Sequence, residues 1–140
     1  MVIDAHLHVW RAVRNHPDPA VTIVSPCSDV PVELLKQYMG EHRVDKAVLV
    51  QPLYPGEDNS YVADSAAADP DHLAAVCYVD PREADAAELL TYWVKERGCK
   101  GLRMRPSVDG EENIFGKPAS YAVWEAAQDL GIAVNLLMNS

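Results

Sequence analysis

Two imidazoles two residues apart, His6 and His8, stand in the run IDAHLHVW from Ile3 to Trp10. Ile3, Ala5, Leu7 and Val9 alternate there with Asp4, His6 and His8, which is the period of a β-strand. The alternation puts both histidines on one strand face, about 6 to 7 Å apart along the chain. Neutral imidazoles so placed can share one divalent cation or converge on one bound substrate. A surface strand that carries two histidines is the plain structural alternative.

A second pair stands in Arg103-Met104-Arg105-Pro106, where the same period points both guanidiniums one way. Arginine captures a carboxylate or phosphate with two parallel hydrogen bonds, and equally forms salt bridges with nearby acids. Both readings of Arg103 and Arg105 stand at this point. Gln51, Asp80 and the loop residue Tyr54 follow other apolar runs and belong to the same candidate region. Asn135 and Asn139 share a face of a later run, where a structural hydrogen-bonding role is expected. Asp4 is expected deeper on the histidine face, where a buried carboxylate needs a partner. His16, His42 and His72 read as solvated, and Trp10, Trp93 and Trp124 as packing residues.

These residues need elements to hold them. After the first strand a Pro-rich loop runs from about Arg11 to Pro31, with Asp29 a candidate cap for a helix ending near His42. Lys46–Gln51 (KAVLVQ) reads as a buried strand, stopped by Pro52. Asn59 or Ser60 is placed to cap a helix stopped by Pro70. Leu73–Val79 is a third strand, and Ala84–Arg97 a helix with Gly98 at its left-handed end. Cys99–Met104, a helix over Tyr121–Leu130 with Gly131 after it, and Ile132–Met138 complete the pattern.

The resulting string is five strands alternating with helices, each strand too apolar to have a wet face. Parallel strands covered by helices satisfy it. Two α/β architectures fit: a flavodoxin-like doubly wound sheet, or the N-terminal half of a (β/α)8 TIM barrel, whose full form needs about 250 residues. The sequence reaches Ser140 directly after the fifth strand, with no helix to cover it, and the half-barrel is therefore expected. In both architectures functional groups collect at the carboxyl ends of the strands, where the two histidines and two arginines fall.

At 140 residues with 49% hydrophobic content, one domain over the whole chain is expected. A formal net charge of −9 without any basic run argues against nucleic acid as a partner. No stretch approaches the roughly 20 apolar residues of a membrane span, and no signal peptide is evident, so no membrane partner is expected. Cys27, Cys77 and Cys99 have no paired short spacing, which fits a reducing, cytoplasmic setting. There is no glycine-rich phosphate loop, Gly-x-Ser-x-Gly elbow or His-Glu-x-x-His motif. A phospho-receiver would need clustered acids after the first strand, where this chain has histidines.

IDAHLHVW, KAVLVQP, AAVCYVDP, KGLRMRP and GIAVNLL, in that order and spacing, resemble the amidohydrolase superfamily, in its amidohydrolase-related branch. The resemblance implies a β/α barrel that hydrolyses an ester, lactone or amide, or decarboxylates, a small carboxylated substrate. It implies that His6 and His8 are the first two ligands of a divalent metal, usually zinc, and that Arg103 and Arg105 bind substrate. Some lactonases of the branch resemble this pattern and work without metal. The family's third histidine and catalytic aspartate come from later strands, so the general base is expected beyond Ser140. The 140-residue chain by itself is expected to turn over little substrate. Its open sheet edges would lead it to form homo-oligomers, and a non-catalytic half-barrel is the alternative function.

Overall fold

The computed structural model of the chain describes residues 1–11, 29–52, 58–105 and 113–137. Five strands alternate with four helices: β1 (Ile3–Leu7), α1 (Val32–His42), β2 (Lys46–Val50), α2 (Ser60–Ala67), β3 (Leu73–Tyr78), α3 (Ala86–Lys95), β4 (Gly101–Met104), α4 (Pro118–Asp129) and β5 (Ala133–Leu136). The strands form one sheet in the order β1-β2-β3-β4-β5, every pair parallel. Sequential order without a crossover is half of a TIM barrel and excludes the doubly wound sheet, in which strand one lies inside.

Period two divides the sheet into two faces. Ala47, Leu49, Leu73, Ala75, Cys77, Leu102 and Met104 join Met39, Val62, Leu90 and Val123 of the helices in one core. Leu49, Leu90 and Leu102 are fully buried, each stabilising the fold by about 1.5–3 kcal/mol. The intervening residues Val50, Val76, Tyr78 and Arg103 take the opposite face and are buried as well. Cys77 and Cys99 are both buried free thiols, as their apolar settings imply.

Four local readings are corrected. A register irregularity between Asp4 and Leu7 interrupts the alternation in β1. Asp4 is therefore exposed, and its carboxylate accepts the His6 backbone N–H at 3.1 Å instead of lying buried on the histidine face. Asp29 does not cap α1, whose N-cap is Pro31; its carboxylate faces Arg11 at 3.7 Å. Asn59 does precede α2, but its side chain makes no capping bond. Helix α4 begins at Pro118, three residues before the expected Tyr121, because proline suits a first helical turn. Gly98 and Gly131 do take positive φ, 75° and 63°, after α3 and α4.

The edges differ from the interior. Among the described residues β1 pairs only with β2, and β5 only with β4. Val2, Ile3, Leu136 and Leu137 are exposed there, whereas every residue of β4 is buried. No helix is long and apolar enough to cross a membrane among the described residues.

Candidate active site

The carboxyl ends of β1 to β4 gather the chemistry. The His6 and His8 rings meet edge to face with centroids 5.1 Å apart, so both leave the chain on the same side. His8 Nδ1 lies 2.8 Å from the backbone carbonyl of Val50 at the end of β2. A carbonyl only accepts, so Nδ1 carries the proton and Nε2 keeps its lone pair. Burial, partly offset by the Val50 bond, lowers the His8 pKa; the charges of Arg103 and His6 lower it further. A neutral imidazole with one nitrogen fixed by a carbonyl is the usual state of a metal-ligating histidine.

Arg103 is 6% exposed and lies between Leu102 and Met104, its side chain on the face away from the helices. Its Nη1 donates to the Gln51 carbonyl at 2.8 Å. Its Nε is buried without a hydrogen-bond partner, as is Nε of Arg105. Neither arginine forms an ion pair among the described residues. Burial and the neighbouring Arg105 charge lower the pKa of Arg103, with Tyr78 opposing them. The salt-bridge reading of the pair thus loses ground: a buried Arg103 and a half-buried Arg105 stand without a counter-anion among the described residues, which is costly unless something binds them.

The acid whose charge Arg105 reaches, Asp80, is already taken. Asp80, buried just beyond β3, receives Arg82 Nε at 2.9 and 3.0 Å on its two oxygens, and the Arg82 backbone N–H at 2.9 Å. These bonds to Arg82 lower its pKa, against a smaller effect of burial, and the Arg82 and Arg105 charges add to them. Asp80 is held as a carboxylate and braces the turn after β3.

Gln51 is buried, and its backbone carbonyl, not its amide, is what touches the site residue Arg103. Sequence reading did not find the role of Asn59, whose amide grips β3, or of Arg82. Asn135 is half-buried on β5, in register with Arg103. Tyr54, Asn139, His16 and Cys27 lie outside the described residues.

Two imidazoles offer a cation half of a tetrahedral shell, and the His8 tautomer fits that task. No third ligand completes the shell, since no group of three His, Cys, Asp or Glu side chains suited to a metal occurs among the described residues.

The sequence profile of the amidohydrolase family matches residues 3–139. The chain belongs to that family. No curated protein matches its sequence. Among solved structures, this amidohydrolase chain is similar to the probable 2-pyrone-4,6-dicarboxylic acid hydrolase of Acinetobacter baumannii, determined with citric acid bound: TM-score 0.72, 21% identity, 96% of this chain and 48% of that one. An amidohydrolase from Burkholderia multivorans with bound zinc gives 0.75 at 20% identity, covering 99% and 49%. A dihydroxybenzoic acid decarboxylase from Polaromonas sp. JS666, with manganese and 2-nitroresorcinol, gives 0.71 at 18% identity, covering 99% and 49%. The chain spans about half the length of these relatives and shares their fold over that half.

Proposed function

We propose that the amidohydrolase chain contributes the carboxylate-binding and first metal-binding parts of a hydrolase or decarboxylase site for a small carboxylated substrate. The single observation that carries this reading is the pair of buried, unpartnered nitrogens on Arg103 and Arg105, beside His8. In this reading Arg103 and Arg105 hold a substrate carboxylate, which supplies the counter-anion they lack among the described residues. His6 and His8 hold a divalent cation, through Nε2 in the case of His8. Zinc is the first candidate, given the zinc and manganese in the solved relatives. Bound there, such a cation supplies Lewis-acid polarisation of the substrate's carbonyl. The general base is not assigned to any described residue.

Calorimetric titration with citrate, the ligand of the Acinetobacter relative, tests the reading. Binding is expected, and R103M is expected to weaken it at least about tenfold. Equal affinity in the two proteins would overturn it.

The exposed edges favour a second, compatible reading. With Val2, Ile3, Leu136 and Leu137 uncovered, we propose that the chain self-associates through β1 and β5. Sedimentation over a wide concentration range should show a growing dimer fraction; a monomer throughout would dispose of it.

A further inference from the structure

Asn59 is a 1% exposed amide, and its position relative to β2 and β3 has a consequence for Arg103. The two strands pair in parallel with Val50 opposite Val76, and Gln51 N–H donates to the Val76 carbonyl at 2.9 Å. In a parallel ladder the next bond runs from the N–H two residues on, Tyr78, back to the carbonyl of Gln51. That bond is exchanged. The Tyr78 N–H donates to Asn59 Oδ1 at 2.7 Å, and Asn59 Nδ2 donates to the Tyr78 carbonyl at 2.9 Å. The Gln51 carbonyl accepts Arg103 Nη1 at 2.8 Å in place of that rung.

We propose that Asn59 is a positioning residue for Arg103: by standing in for one rung of the β2–β3 ladder, it lets the Gln51 carbonyl take the guanidinium in place of the Tyr78 N–H. Without the Asn59 amide, the Tyr78 N–H returns to its ladder acceptor, the Gln51 carbonyl, and competes there with Arg103 Nη1, which loosens the guanidinium. The consequence for ligand affinity rests on the proposed role of Arg103 in carboxylate binding; the anchoring itself does not.

The test therefore has two arms on the full 140-residue chain. In the first, nitrogen-15 NMR follows the Arg103 guanidinium without ligand. An anchored group shows separate Nη resonances from slowed rotation about Nε–Cζ, and N59A is expected to average them. In the second, N59A should weaken citrate binding about tenfold in the wild-type background. In an R103M background it should change binding by less than about twofold. Averaged resonances in the wild type, resolved ones in N59A, or losses that add in the double variant would overturn the proposal. A lowered melting temperature of N59A decides nothing between a positioning and a merely structural role, so it is not the readout. Should N59A fail to fold, N59D carries the test. Protonated, its carboxyl copies the amide's donor and acceptor, and resolved resonances should return near pH 5 and vanish near pH 8, on the order of a buried acid's raised pKa. A pH-independent N59D spectrum contradicts the proposal. Failure of citrate to bind the wild type defeats the proposed function and leaves the NMR arm to judge Asn59.

Discussion

Two charged clusters sit at opposite ends of the same sheet, and they are built in opposite ways. At the amino ends of the strands, Asp69 receives Lys36 Nζ and His72 Nδ1, each at 2.7 Å. All three are at least partly open to water, and the bonds to Lys36 and His72 lower the Asp69 pKa. At the carboxyl ends, Arg103 and Arg105 keep buried nitrogens without partners, and Asp80, the one buried acid among the described residues, is claimed by Arg82. The first cluster is complete as it stands, and pairs of that exposed kind contribute little to stability. The second is incomplete at buried nitrogens, a state that costs free energy unless a ligand completes it. Incompleteness, more than charge, distinguishes a binding site from a solvated face.

That contrast can be broken by substitution. The largest effect is expected at Arg103. R103M should remove citrate binding by at least about tenfold while leaving the melting temperature equal or higher, since it deletes an uncompensated buried charge. D69N at the other end should leave citrate affinity unchanged; a loss as large as that of R103M would erase the distinction between the two ends.

The histidines extend the same comparison to metals. H8A should abolish zinc binding measured by calorimetry, and H72A should leave it intact. Zinc held equally by both variants would remove His8 from the site.

Acid sharpens the comparison further. Asp80 has its folded pKa lowered below the ordinary 3.8, so its stabilising contribution is complete above that value and is lost as pH falls through the folded one. Asp69 follows the same sign for a different reason, its bonds to Lys36 and His72. The two should part in salt, because water reaches Asp69 more than Asp80. In acid titrations monitored by circular dichroism, D80N should flatten the stability decline below 3.8 at low and high salt alike. D69N should do so only at low salt, the smallest effect of the series. Identical salt dependence in the two variants would count against the difference in burial.

Much of this was legible in the sequence, for physical reasons that can be named. The runs KAVLV and LAAVCY are apolar on both faces, which only strands covered on both sides tolerate, so β2 and β3 were found nearly to the residue. His6, His8, Arg103 and Arg105 were placed at strand ends because their neighbours alternate with them. What escaped was set by geometry across strands. Asn59 looks the same in sequence whether it caps α2 or replaces a ladder rung, because both uses place a short amide before a helix. The irregularity at Asp4–Leu7 in β1 depends on the partner strand, and no spacing within IDAHLHVW announces it. The Asp80–Arg82 pairing spans only two residues, yet its meaning comes from Arg105, just beyond β4.

The most direct test of the central claim is where a carboxylate binds. A crystal structure of the chain with citrate should show a citrate carboxylate on the guanidiniums of Arg103 and Arg105, completing the buried nitrogens that now lack partners. Citrate bound instead at Lys36 and His72, with both arginine Nε atoms still unpartnered, would contradict the account.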